Sequence, residues 1–110
     1  MNNYNHSNSE IICFIGVGSN LNTPKEQIKC AINVLSSYPK IKVISKSSLY
    51  ISKALETRDQ PDYINCVISI KTGYSPYELL KTLQEIEKKQ GRVRKKKWAS
   101  RLIDLDIEKI

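Results

Sequence analysis

Ten residues, Tyr63 to Thr72, constrain the fold of this chain most. Ile64, Cys66, Ile68 and Ile70 alternate with Tyr63, Asn65, Val67 and Ser69. Successive side chains of an extended segment point to opposite faces, so the segment is a strand with one continuous apolar face. Such a face must be covered, and the flanking sequence supplies the cover. Ser75-Pro76-Tyr77-Glu78 carries the signature of a helix start, with Ser75 at the N-cap, Pro76 at the first helical position and Glu78 three residues after the cap. Leu79, Leu80, Leu83 and Ile86 continue at helical spacing to about Gln90, and Gly91 stops the helix.

The first half repeats the pattern. Ile11 to Val17 is a short, almost continuous apolar run, ended by the turn-prone Gly18-Ser19-Asn20. Thr23 offers an N-cap, Pro24 the first helical position and Glu26 the capping-box acid, and Ile28, Ala31, Ile32 and Leu35 take the helix to about Ser37. A second strand starts at Ile41 and runs toward Tyr50, residues 53–61 form a polar loop, and Leu102 to Ile107 makes a fourth strand. The order is β-α-β-β-α-β. Two right-handed split crossovers give an α+β, ferredoxin-like fold: a four-stranded antiparallel sheet with both helices on one face. Residues 10–110 read as one domain, preceded by an Asn- and Ser-rich tail, residues 1–9, that is expected to fray.

No apolar run approaches the roughly 20 residues of a membrane span, and no signal peptide opens the chain, so a cytoplasmic protein is expected. The three cysteines are widely spaced and the single histidine, His6, lies in the tail, which argues against a zinc site. Cys13 and Cys66 read as small apolar residues inside strands. The formal charge is +7, from 18 Lys and Arg against 11 Asp and Glu, and the excess is local: Arg92-Val93-Arg94-Lys95-Lys96-Lys97 holds five cations in six residues. Such a run suits a polyanion, whether nucleic acid or a small phosphate ester.

The chemistry-bearing feature is Asp104-Leu105-Asp106 in the last strand. Both carboxylates fall on one face, about 7 Å apart, with Leu105 and Ile107 on the other. Like charges so placed suit a Mg²⁺ ion, which takes one or two carboxylates and completes its shell with water and phosphate oxygens. A solvent-facing pair balanced by Lys or Arg is the alternative. Arg92, Arg94 and Arg101 precede the strand, and guanidinium groups bind phosphate bidentately. Metal-binding carboxylates beside phosphate-binding arginines are the two parts a phosphoryl-transfer site needs. Trp98, in the same basic stretch, could stack on a heteroaromatic ring. Gly16-Val17-Gly18-Ser19-Asn20 lacks the ending of a P-loop and the third glycine of a dinucleotide fingerprint.

Four motifs in order resemble the 6-hydroxymethyl-7,8-dihydropterin pyrophosphokinase family. Gly18-Ser19-Asn20-Leu21 resembles its GSNL opening, and Asp59-Gln60-Pro61-Asp62-Tyr63-Ile64-Asn65 its D-Q-P-x-[FY]-x-N segment. Gln84-Glu85-Ile86-Glu87 with Gly91-Arg92-Val93-Arg94 resembles its E-x-x-x-G-R-x-R block. Trp98, Arg101 and Asp104-Leu105-Asp106-Ile107 resemble its R-x-x-D-[LI]-D-[LI] block.

The resemblance implies transfer of the β,γ-pyrophosphate of ATP to the hydroxymethyl group of a reduced pterin, releasing AMP. It implies that Asp104 and Asp106 hold two Mg²⁺ ions and that Arg92 and Arg94 clamp phosphates and order a mobile loop. Gln84, Glu87 and Arg101 would lie at the nucleotide, and Ser52, Leu55, Tyr63, Asn65 and Trp98 at the pterin. The implied partners are ATP and the pterin, with a monomeric enzyme and neither nucleic acid nor membrane. The basic stretch is not accompanied by aromatic residues interleaved along central strands, as an RNA-binding sheet would need.

The chain departs from the family's usual W-G-P-R turn with Trp98-Ala99-Ser100-Arg101, and from its Pro- and Gly-containing pterin loop with Ser52-Lys53-Ala54-Leu55. The family also continues past its last strand, through a histidine and an R-x-F segment, whereas this sequence stops at Ile110. The resulting expectation is a truncated chain of weak activity, with a non-catalytic nucleotide-binding or interaction module as the alternative.

Overall fold

The computed structural model describes residues 9–20, 23–53, 62–91 and 103–109. Its elements are β1 (Ile11–Ser19), α1 (Pro24–Ser36), β2 (Ile41–Lys46), β3 (Tyr50–Ser52), β4 (Tyr63–Thr72), α2 (Pro76–Gln90) and β5 (Asp104–Lys109). The sheet runs in the order β2-β4-β1-β5, with every pair antiparallel, and β3 pairs with the start of β4. Apart from β3 this is the expected ferredoxin-like arrangement.

One face of the sheet is apolar by alternation. Cys13, Ile15 and Val17 of β1 lie opposite Ile70, Ile68 and Cys66 of β4, and Ile15 and Val17 also lie opposite Ile107 and Leu105 of β5. Ile28, Ala31 and Leu35 of α1 and Leu79, Leu83 and Ile86 of α2 close over this face in one buried cluster. Full burial of each large aliphatic side chain contributes about 1.5–3 kcal/mol, so this layer holds the sheet in one register. Burial also pushes the Cys13 and Cys66 thiols above the ordinary cysteine value.

The α2 cap forms as its sequence predicts. Glu78 N–H donates to Ser75 Oγ at 3.1 Å, and Ser75 N–H donates to Glu78 Oε1 at 2.9 Å. The charge-favouring Ser75 N–H holds the Glu78 carboxyl below its ordinary value. The expected box at α1 does not form. Thr23 has a left-handed backbone, φ 57° and ψ 73°, and its hydroxyl makes no cap bond. An N-cap normally uses extended backbone, which aims the side-chain oxygen at the first turn, and the left-handed turn removes that aim. Thr23 O still accepts from Glu26 N–H and Gln27 N–H.

Two strand boundaries also differ from expectation. The second strand breaks after Lys46, following a register shift between Val43 and Ser45. Ser47 then takes over part of the ladder: its N–H donates to Val67 O at 2.8 Å and its Oγ accepts from Val67 N–H at 2.9 Å. The chain re-enters the sheet as β3, giving five strands among the described residues where four were expected. Ile103, expected within the last strand, lies before it: the strand runs from Asp104 to Lys109, and Leu102 lies outside the described residues. Gly91 ends α2 with φ −106° rather than in the left-handed conformation, its N–H donating to Glu87 O at 2.9 Å.

Candidate active site on the open sheet face

The face of the sheet turned away from the helices carries Ile12, Phe14, Gly16 and Gly18 of β1, Asn65, Val67 and Ser69 of β4, and Asp104 and Asp106 of β5. Gly18 lies opposite Asn65 on one side and opposite Asp104 on the other. Gly16 likewise lies between Val67 and Asp106. Neighbouring strands are about 4.8 Å apart, so Asn65 and Asp104 flank a strip about 10 Å wide whose floor, at Gly16 and Gly18, carries no side chain. Asp104 is half-buried and Asp106 exposed, while Leu105 between them is buried on the helix side. The two carboxylates therefore share the open face, as the sequence predicts.

Two side chains lean into the strip. A Cβ on Gly18 would stand 2.6 Å from Asn65 Oδ1, and one on Gly16 would stand 2.5 Å from Glu108 Oε2. Either contact is closer than carbon and oxygen tolerate, so each glycine makes room for a polar group. Glu108 lies in the β1–β5 register shift and adds a third acid to this face. Among the described residues, no three His, Cys, Asp or Glu side chains converge as a metal cluster. Two carboxylates beside a cradle that a Cβ would fill still match the donor set of Mg²⁺, which draws its remaining ligands from water and phosphate.

At the far side of the strip, Tyr50 and Ser52 of β3 lie opposite Asn65 and Tyr63. Asn65 Nδ2 donates to Ser52 Oγ at 2.8 Å. Ser52, Tyr63, Asn65, Asp104 and Asp106 thus come together on one face.

The α2 residues are placed differently. Gln84 is exposed on α2 and lines a shallow surface pocket with Lys81, Thr82, Glu85, Lys88 and Lys89. Glu87 turns toward β5, where its Oε2 accepts from Leu105 N–H at 2.7 Å. β5 is an edge strand, so this carboxylate takes the position a neighbouring strand would fill, directly between Asp104 and Asp106 in sequence. Leu55, Arg92, Arg94, Trp98 and Arg101 lie outside the described residues.

Sequence reasoning gave little weight to Gly16 and Gly18 and did not single out Glu108 or Tyr50. Alternation assigns Gly16, Gly18 and Glu108 to a face within their own strands, but which residues they lie beside is set by the cross-strand register.

Residues 14–109 match the model of a family described as 7,8-dihydro-6-hydroxymethylpterin-pyrophosphokinase, HPPK. The chain belongs to that family. Relatives named as pyrophosphokinases of the same pterin occur in bacteria. A 2-amino-4-hydroxy-6-hydroxymethyldihydropteridine pyrophosphokinase of Haemophilus influenzae is 48% identical over 97 residues, covering 88% of this chain and 61% of that protein. One from Pseudomonas aeruginosa is 43% identical over 94 residues, covering 86% of this chain and 58% of that protein. The folic acid synthesis protein fol1 of Schizosaccharomyces pombe is 38% identical over 96 residues, covering 87% of this chain and 13% of that much longer protein. The chain spans about three-fifths of the length of the two bacterial HPPK relatives. Among the described residues, no helix is long and apolar enough to cross a membrane.

Proposed function

We propose that this chain carries the pyrophosphoryl-transfer site of an HPPK, moving the β,γ-pyrophosphate of ATP to the hydroxymethyl oxygen of 6-hydroxymethyl-7,8-dihydropterin and releasing AMP. The observation that carries the reading is the meeting of Asp104, Asp106, Asn65 and Ser52 across the bare floor of Gly16 and Gly18. One side of that strip is anionic and suits a metal-bound triphosphate. The other presents an amide, which can pair with the donor and acceptor edge of a pterin. The family match and the names of the relatives support the reaction proposed.

Asp104 and Asp106 would hold two Mg²⁺ ions, which supply charge neutralisation for the triphosphate. The protein's own work is positioning. Arg92, Arg94 and Arg101 bind phosphate oxygens, with Gln84 and Glu87 at the nucleotide side. Ser52, Leu55, Tyr63, Asn65 and Trp98 hold the pterin so that its hydroxyl lies in line with the transferred group. Little covalent chemistry is left for the side chains, as is usual in phosphoryl transfer. Residues 10–110 act as one catalytic domain, without nucleic acid or membrane as partner, as a cytoplasmic monomer.

The test is direct. The purified chain is mixed with ATP, Mg²⁺ and the dihydropterin and followed by ³¹P NMR. Appearance of AMP together with a pterin pyrophosphate supports the reading. Release of ADP or inorganic phosphate, or no pterin-dependent turnover and no pterin binding, overturns it.

A further inference from the structure

We infer that Gly18 and Ser52 are positioning residues that fix the orientation of the Asn65 carboxamide, so that its oxygen is the atom offered to a bound ring. The inference deepens the proposed function and rests on it for the identity of the ligand. The geometry itself stands apart from that identity.

The argument starts from the ambiguity of an asparagine. Its carboxamide can rotate by half a turn and exchange a donor for an acceptor at almost no steric expense. A site that reads a hydrogen-bonding edge must remove that freedom, because the wrong orientation sets donor against donor. Two features of the sheet remove it here. On the β3 side, Asn65 Nδ2 donates to Ser52 Oγ at 2.8 Å. On the β1 side, Asn65 Oδ1 lies over Gly18, 2.6 Å from where a Cβ would stand.

That second contact discriminates between the two ends of the amide. The position a Cβ would take is the direction of a glycine α-hydrogen, a weakly electropositive C–H that attracts an oxygen and not an NH₂ group. A serine hydroxyl can donate as well as accept, so Ser52 tethers the carboxamide, and the Gly18 contact selects which end lies over the strip. Asn65 Oδ1 is left over the strip, facing the row that ends at Asp104. A ligand that meets Asn65 there must present an N–H, which fits the amide and amino edge of a pterin and rejects a ring offering only acceptors.

Gly18 is thus required by the side chain of its neighbour on β4 rather than by its own backbone, since no glycine among the described residues has positive φ. Alanine at 18 would place a methyl carbon 2.6 Å from Oδ1, so the amide would have to shift, which draws Nδ2 away from Ser52 Oγ.

The test uses the intact chain, its variants Gly18→Ala, Ser52→Ala and Ser52→Thr, and Asn65→Ala alone and combined with Gly18→Ala. In the parent, NMR should show the Asn65 side-chain amide in contact with the Ser52 β-hydrogens. That contact should vanish in Gly18→Ala and Ser52→Ala and persist in Ser52→Thr, which keeps the hydroxyl. Binding of 6-hydroxymethyl-7,8-dihydropterin, measured by titration calorimetry, should weaken about tenfold in Gly18→Ala and Ser52→Ala, the equivalent of one misplaced hydrogen bond. In the Asn65→Ala background, Gly18→Ala should have no further effect on pterin affinity. Retention of the amide contact in Gly18→Ala, or additive losses in the double variant, would overturn the inference. Ser52→Ala, altered on an exposed strand, keeps it falsifiable if Gly18→Ala fails to fold. A parent chain with the expected amide contact but no pterin affinity would support the positioning and overturn the proposed function instead.

Discussion

Removing the Glu87 carboxylate should loosen the strand that carries both aspartates. Glu87 Oε2 accepts from Leu105 N–H at 2.7 Å in a partly buried setting, on the outer edge of β5. A hydrogen bond to a charged acceptor contributes about 1.5–3 kcal/mol, and its loss here leaves a strand N–H without that acceptor. Glu87→Ala should therefore lower the unfolding free energy by about 2 kcal/mol. In a domain of this size that is a fall of roughly 8–10 °C in melting temperature. Glu87→Gln keeps a carbonyl oxygen in the same place and should lose about half as much. The distinguishing measurement is amide hydrogen exchange. Leu105 should exchange faster in Glu87→Ala by more than the global loss of stability explains, while Ile68 in the central strand β4 should follow the global change alone. If Leu105 is no more exposed to exchange than Ile68, Glu87 does not clamp the edge strand and the reasoning fails.

The capping box of α2 gives a pH dependence. Because Ser75 N–H holds the Glu78 carboxyl below its ordinary value, its stabilising contribution is present above the ordinary glutamate range and is lost as pH falls through the lowered value. Urea midpoints taken between about pH 6 and pH 3 should therefore fall more steeply in the parent than in Glu78→Gln, and parallel curves would contradict the assignment. The cysteines should divide by burial. Cys30 is exposed and should react with a thiol reagent in the folded chain, while the buried Cys13 and Cys66, with thiol values raised by burial, should react only on unfolding. Three equally fast thiols would mean that the core is not packed as described.

The sequence made most of this architecture legible because its alternations are clean. Tyr63 to Thr72 is a strand from first residue to last, and its apolar positions are the ones that meet the helices. Ser75 and Glu78 cap α2 because both partners lie close together in sequence, where local chemistry decides the outcome. The departures arise where distant residues decide. Thr23 resembles a cap until the turn before α1 takes a left-handed backbone, and Ser47 ends a ladder only because Val67 accepts the exchange.

The candidate site was legible in part. Asp104, Asp106, Asn65 and Tyr63 were readable from motif and alternation and Ser52 from the family resemblance alone, and the sheet sets these five on one face. The roles of Gly16, Gly18 and Glu108 were hidden because they depend on cross-strand register, which no single segment contains. Glu87 had a nucleotide-side role in the motif, yet its bond to Leu105 appears only once α2 and β5 are docked.

Metal-dependent nucleotide binding tests the account most directly. A non-hydrolysable ATP analogue is titrated into the parent chain, Asp104→Ala and Asp106→Ala, each with and without Mg²⁺. Two acids sharing the open face of β5 predict that Mg²⁺ tightens binding to the parent and that either substitution abolishes the difference. Equal affinity with and without metal in the parent, or an undiminished metal effect in both variants, would contradict the assignment of Asp104 and Asp106.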